Sequence, residues 1–262
     1  MNSKDLFSIE GKTAVVTGGS RGIGLMIARG YVEAGARVTI SSRKADACDA
    51  AAKELSEIGE CVSIPADLST EDGARRLADE VSRREQELHI LVNNAGAAWG
   101  APLEEYPDEA FDKVMNTNVK GVFHVTRYFL PLLRKGARDH DPARIINIGS
   151  IEGLRPPFWE NYAYPASKAA VHMLTRHLAH RLVGEGISVN AIAPGLFPTK
   201  MTQFVFEATS AEADRAVRDT IPMGRAGEAD DMAGIAIFLA AKASAYLTGA
   251  VIPVDGGVST TR

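Results

Sequence analysis

Cysteine is nearly absent: Cys48 and Cys61 are the only two in 262 residues, and they form no C-x-x-C pair. That excludes a disulfide framework and a thiolate metal site, and two reduced thiols suit a cytoplasmic protein. Excess charge is also lacking. Against 33 acidic residues stand 29 Lys and Arg, a net charge of −4 with a pI near 5.9. No basic face or run of like charge invites nucleic acid or a membrane surface. Long apolar runs are missing too. The longest uncharged one, Ile235–Ala241, is far too short to cross a bilayer, and M-N-S-K-D-L-F-S-I-E-G-K at the start has no signal-peptide core. His177 and His180 share a helix face, but no acidic or cysteine partner completes a ligand set, so no metal is expected. No repeat, low-complexity stretch or linker interrupts the chain, which reads as one domain over 1–262.

What is present is alternation. Short β-branched runs at Thr13–Thr17, Arg37–Ser41, Cys61–Pro65, His89–Val92, Arg144–Ile148, Ile187–Ile192 and Ala250–Val254 read as strands. Between them the apolar spacing predicts helices over Ile23–Glu33, Ala45–Ile58, Glu71–Glu87, Asp108–Arg134, Ala166–Leu182 and Ala229–Ala241, with Pro131 breaking or kinking the last turn of the fourth. The pattern predicts an α/β fold, a doubly wound parallel sheet of about seven strands with helices on both faces. Ligands in such folds sit at the carboxyl ends of the strands, here Thr17, Ser41, Ala66, Val92, Gly149 and Ala193.

The first strand runs into Thr17-Gly18-Gly19-Ser20-Arg21-Gly22-Ile23-Gly24. The glycines are spaced T-G-x-x-x-G-x-G rather than G-x-G-x-x-G, but the physics is shared: a tight turn brings a pyrophosphate to the free N–H groups of a helix N-terminus. This loop predicts dinucleotide binding. The second strand ends in Ser41-Ser42-Arg43-Lys44, with no carboxylate before Asp46 to meet a ribose 2′-hydroxyl. Arg43 and Arg21 can instead clamp a 2′-phosphate, so the expected cofactor is NADP(H). Further along, Tyr164 and Lys168 stand four apart on a predicted helix, one turn apart on one face. A lysine ammonium there favours a phenolate and so lowers a phenol pKa from about 10, making the pair a candidate proton-transfer device.

Taken together these stretches resemble the short-chain dehydrogenase/reductase family. The resemblance runs from Lys12 to Gly257 on T-G-G-S-R-G-I-G (17–24), Asp67-Leu68, N-N-A-G (93–96), Asn118, Ser150, Y-P-A-S-K (164–168), P-G-L-F-P-T (194–199) and G-A-V-I-P-V-D-G-G (249–257). It implies hydride transfer between a nicotinamide and a carbonyl or secondary alcohol. In that reading Tyr164 protonates the carbonyl oxygen, Lys168 tunes Tyr164 and holds the nicotinamide ribose, Ser150 holds the carbonyl oxygen, and Asn118 supports a water leading to Lys168. The cofactor contacts would be Gly18, Ser20, Arg21, Gly22, Ile23 and Gly24 in the glycine loop, then Ser42 and Arg43. They would continue with Asp67 and Leu68 at the adenine, Asn94, Ala95 and Gly96 at the ribose, and Pro194, Gly195, Phe197 and Thr199 at the carboxamide. Two features stand apart from the family pattern. Pro165 biases Tyr164 away from helical angles, so the helix should start around there, and the Ser150–Tyr164 interval of fourteen is one longer than in many members, so that loop should bulge.

The pattern is most similar to bacterial β-ketoacyl reductases, including a subgroup linked to rhamnolipid precursors, through R-I-I-N-I-G-S, A-Y-x-x-S-K and I-P-M-G-R (221–225). A 3-oxoacyl thioester is therefore the leading substrate. Trp99, Phe158, Trp159, Phe197, Met201, Phe204 and Phe206, all in loops after strand ends, suggest an apolar pocket, with a lid over about 196–220. Glu185 stands where carrier-using members tend to place a basic residue, which leaves acyl-CoA and free ketones open beside an acyl carrier. The alternative is an NAD(P)-dependent dehydrogenase or reductase of an apolar or cyclic alcohol or ketone. Family habit also implies a homo-oligomer, a tetramer or dimer.

Overall fold

The structure, a computed structural model, describes residues 2–157, 159–203 and 217–261. Seven strands form one sheet: β1 (Thr13–Thr17), β2 (Arg37–Ser41), β3 (Cys61–Ser63), β4 (Ile90–Asn93), β5 (Ala143–Ile148), β6 (Ile187–Pro194) and β7 (Val251–Val254). Every neighbouring pair is parallel, in the order β3-β2-β1-β4-β5-β6-β7. The chain winds outward from β1 to β3, then returns to lay β4 against the other side of β1. The carboxyl ends of β1 and β4 therefore flank the switch point where such sheets open a crevice.

The central strands are rich in Val and Ile because both faces of the sheet are covered there, whereas the edge strand β3 leaves Val62 exposed. Alternation sorts the side chains. Val16, Ile90, Val92, Ile146 and Ile148 join a core with Ile27 and Tyr31 of α2 (Gly22–Glu33), Leu55 of α3 (Ala45–Ser56) and Met232 and Leu239 of the late helix Ala229–Ala240. Val15, Leu91 and Ile145 point the other way, against Leu77 of α4 (Glu71–Arg84), Phe129 of α6 (Gly121–Gly136) and Ala179 and Leu182 of α7 (Ala163–Leu182). A short helix, α1 (Ser3–Phe7), precedes β1, and the late helix is α8.

The long helix expected over 108–134 is instead two helices, α5 (Asp108–Met115) and α6, joined by a π turn at Asn116–Lys120. Hydrophobic periodicity does not register one extra residue in a turn, and such turns mark functional sites. Pro131 lies inside α6, on its exposed side, and the helix continues to Gly136. The α4 helix stops at Arg84 rather than reaching Glu87, which instead accepts a hydrogen bond from Arg138.

Candidate active site

The glycine loop between β1 and α2 is built for close approach. Gly18 and Gly22 hold positive φ angles of 66° and 54°, and Arg21 caps α2 with extended backbone and no side-chain hydrogen bond, which leaves the first N–H groups of the helix pointing outward. A Cβ on Gly24 would collide with the Gly18 carbonyl oxygen and the Asn94 amide. That amide is the clasp of the loop: Asn94 Nδ2 donates to the carbonyls of Thr17 at 2.9 Å and Gly18 at 3.2 Å, while the Asn94 and Ala95 N–H groups donate to Thr17 Oγ1. Asn94 thus serves the site through the loop it holds, rather than through its own side chain. Thr199 faces Gly22 across the crevice, its Cγ2 3.3 Å from where a Cβ would stand.

At the far end, Arg21 and Arg43 are exposed, Ser42 is half-buried, and Asp67 lies close enough to Arg43 for the guanidinium to act on it. Burial raises the Asp67 carboxyl, but hydrogen bonds from Ser69 and the Arg43 charge outweigh it and leave it below its ordinary value. A cavity of about 440 Å³ opens here between Arg43, Ile64, Ala66, Asp67 and Arg76. The Leu68 and Phe197 side chains are buried in the cores, Phe197 at 2% exposure with its ring against Gly227, so what these two positions chiefly offer a cofactor is their main chain. An apolar residue just past a strand end reads the same from sequence whether it packs inward or outward.

The proton-transfer side chains do converge. Ser150 ends the β5 segment and caps the 3-10 turn Ile151–Gly153; its Oγ accepts the Glu152 N–H at 3.1 Å and lies near enough to the Tyr164 phenol to favour its ionised form. The catalytic helix starts at Ala163, so Tyr164 is helical despite Pro165, whose missing N–H falls in a first turn where it has no intrahelical partner. Lys168 Nζ lies 5.4 Å from the centre of the Tyr164 ring and donates to the Ile148 carbonyl at 2.8 Å. It also lies 3.9 Å from where a Gly96 Cβ would be, which puts it beside the β4 strand end.

The electrostatics differ from the sequence expectation. Tyr164 is raised, not lowered, first by burial and then by the Glu152 charge, with only the Ser150 hydrogen bond working against them. Lys168 does not offset this because its own ammonium is buried and turned to a main-chain carbonyl. Burial brings it down to about 8, with Glu152 opposing. Asn118 is held by three hydrogen bonds. Its Oδ1 accepts the Ala97 N–H at 2.8 Å, and its Nδ2 donates to Ala97 O and Ser167 Oγ, both at 2.9 Å, so the side chain braces the β4 end against α7. Ser167 in turn donates to the Tyr164 carbonyl at 2.7 Å.

Three features were not anticipated. Glu152 is half-buried within the site, its Oε2 accepting Asn161 Nδ2 at 2.8 Å, and burial raises its carboxyl against the pull of Asn161 and Lys168. His172, 3% exposed, sits behind Ser150, whose N–H points at Nε2 from 3.5 Å; burial, then the Lys168 charge, bring it down to about 4, so it is neutral near pH 7. Its place four residues past Lys168, on the same helix face, was the available signal. Beneath them a buried chain of amides and hydroxyls, Thr126–Asn93–Asn147–Thr175, crosses from α6 to α7 through contacts of 2.9 to 3.1 Å.

Of the expected pocket aromatics, Trp99 and Trp159 are exposed, as is Met201, and Lys113 stands over the Trp99 ring. Tyr106 and Tyr162 add an edge-to-face pair at 5.7 Å. Phe158, Phe204 and Phe206, with most of the proposed lid, lie outside the described residues. Among the described residues no group of three or more His, Cys, Asp or Glu could hold a metal, and no helix is long and apolar enough to cross a membrane.

Comparison with known proteins gives a consistent set of relatives. Residues 18–259 match the model of the family described as enoyl-(acyl carrier protein) reductase. The chain is 55% identical over 252 residues to the rhamnolipids biosynthesis 3-oxoacyl-[acyl-carrier-protein] reductase of Pseudomonas aeruginosa, covering 96% of this chain and 97% of that one. It is 40% identical over 263 residues to galactitol 2-dehydrogenase (L-tagatose-forming) of Cereibacter sphaeroides, with 98% of each covered. The solved Pseudomonas aeruginosa RhlG/NADP active-site complex superposes with a TM-score of 0.94 at 52% identity, over 99% of this chain and 100% of that one.

Proposed function

The chain belongs to the short-chain dehydrogenase/reductase family, and from that premise we propose that it is an NADPH-dependent carbonyl reductase acting on a 3-oxoacyl thioester. The observation that carries this reading is the Ser150–Tyr164–Lys168 convergence at the strand ends facing the glycine loop. The cradle fits the cofactor: a Cβ would fill the turn at Gly18 and Gly24, the N–H groups of α2 face outward, and Arg21 and Arg43 are exposed where a 2′-phosphate would lie. When bound, NADPH supplies the hydride.

The residues of the chain supply the rest. Ser150 and Tyr164 present two donors to the carbonyl oxygen, where negative charge develops, and Tyr164 gives up its proton as the alkoxide forms. The raised phenol suits this direction, because a tyrosine that stays protonated is the form a reduction consumes. Lys168, half-discharged near pH 8 and beside Gly96, is placed to hold the ribose and to return a proton towards the phenol. Asn118 positions Lys168 indirectly, through Ser167 and the β4 strand end. Trp99, Tyr106 and Tyr162 are candidates for the wall that meets an acyl chain.

Glu185, at the end of α7, is paired with Arg134 at 2.6 Å, which neutralises the carboxylate that argued against an acidic carrier. Both thioester forms therefore stay within the reading. The test is NADPH oxidation at fixed enzyme against 3-oxoacyl-CoA, 3-oxoacyl carrier protein and simple cyclic ketones. Turnover of a thioester is expected, and activity on cyclic ketones alone would replace this reading by the second one.

A further inference from the structure

Glu152 is an acidic group inside the site that the hydride-transfer chemistry does not use. We propose that Glu152 is a specificity-determining residue that excludes free 3-oxo acids, so that the enzyme takes the ketone only when the neighbouring carboxyl is masked as a thioester. This rests on the function proposed above and names what that site rejects.

Three contacts fix Glu152 beside Ser150 and Tyr164. Its own N–H donates to Ser150 Oγ at 3.1 Å, so it belongs to the same tight turn as the group that holds the carbonyl oxygen. Its carboxylate is tethered by Asn161 Nδ2 at 2.8 Å, and the Asn161 carbonyl accepts the Tyr164 N–H at 2.8 Å, so one residue links the carboxylate to the start of the catalytic helix. Gly153 then presses the turn against α7: a Cβ there would stand 2.7 Å from the Lys168 carbonyl carbon. The titratable groups facing Glu152 are Lys168 and Tyr164, both on α7, and it acts electrostatically on each. The other polar neighbours, Asn161 and Ser150, are neutral.

The chemistry follows from charge. A free 3-oxo acid carries its carboxylate two bonds from the ketone carbon, and placing the ketone between Ser150 and Tyr164 brings that anion towards Glu152. Two like charges a few ångströms apart in a half-buried site disfavour each other strongly. A thioester carbonyl at the same place is uncharged and meets no such penalty. Lys168 does not cancel the repulsion, because Glu152 already stands as its counter-ion and its own ammonium is directed to the Ile148 carbonyl.

The test compares kcat/KM for acetoacetyl-N-acetylcysteamine and for acetoacetate with NADPH, in the wild type, Glu152→Gln and Glu152→Asp. The wild type should favour the thioester, Glu152→Gln should narrow that preference about 10- to 100-fold, and Glu152→Asp should keep most of it. Because burial raises the Glu152 carboxyl, the wild-type preference should also weaken as pH is lowered and Glu152 gains a proton, while the Gln variant keeps a flat ratio. A structural role would lower both activities together and leave the ratio and its pH profile unchanged. That outcome, or an unchanged ratio at full activity, overturns the inference while leaving the proposed function standing. Absence of thioester turnover in the wild type overturns the proposed function and this inference with it.

Discussion

At the scale of single residues, the site places one half-buried phenol close to one hydroxyl, with a buried lysine brought down to about 8 beside them. Tyr164→Phe removes the proton transferred to the carbonyl oxygen in this reading and leaves the glycine loop untouched. Turnover should fall by about 100- to 10,000-fold while NADPH binding, followed by its fluorescence, stays within a few-fold; near-normal turnover would sink the assignment. His172 makes a prediction about acid. Its neutral form is the one the fold accommodates, so the stability it contributes is complete above its ordinary pKa of 6.5 and is lost as pH falls from there towards about 4. Urea unfolding should therefore show about 2 kcal/mol lost from this group between pH 7 and pH 5, and His172→Gln should flatten that part of the profile. Tyr164, Lys168 and Ser150 were legible because their spacing and order make a recognisable chemistry. Glu152 was not, since a carboxylate in a loop carries no signal until the fold shows what it faces, and for His172 the spacing of four from Lys168 was the one cue.

At the scale of elements, the glycine loop and the strand ends follow from sequence, while the joints between elements do not. The central strands β1, β2, β5 and β6 were visible because each is a short run rich in β-branched residues and buried on two faces. The π turn at Asn116–Lys120 was invisible, because apolar spacing on either side still reads as one helix. It carries Asn118 to Ala97 and Ser167, so loss of the amide leaves the part-buried Ala97 N–H and carbonyl without this partner, while Ser167 keeps its bond to the Tyr164 carbonyl. Asn118→Ala should lower stability by about 1–3 kcal/mol in denaturant unfolding and reduce kcat with little change in NADPH affinity, since no cofactor contact is removed. The arm after β2 behaves in the opposite way. Arg43 is exposed, and removing it touches no core, so Arg43→Ala should weaken NADPH by about 10- to 100-fold and NADH by less than about 3-fold in equilibrium titration. Equal losses for the two cofactors would refute the clamp on the 2′-phosphate.

At the scale of the whole molecule, the sheet order explains why residues as far apart as Gly18, Gly96, Ser150 and Lys168 share one crevice: β1, β4 and β5 are neighbours, and each delivers its loop at the same edge. The outer surface is less evenly explained. α6 and α7 cover one face of the sheet with Phe129, Ala179 and Leu182 pointing inward, yet Phe123 and Met173 on the same helices, and Phe111 on the α5 helix that packs on α7, are exposed at 45%, 62% and 38%. Apolar residues on both sides of a helix give the periodicity of a buried one, so the sequence could not separate the side facing the sheet from a side facing another subunit. Three large apolar side chains on one side of a molecule with a net charge of only −4 argue for self-association through those helices. The expected outcome in light scattering is a mass of four times 28.0 kDa, with pairs joined across this face. Phe123→Asp, which leaves the crevice and its hydrogen bonds intact, should shift that mass to a smaller species, whereas a wild-type mass of one chain at micromolar concentration would end the proposal.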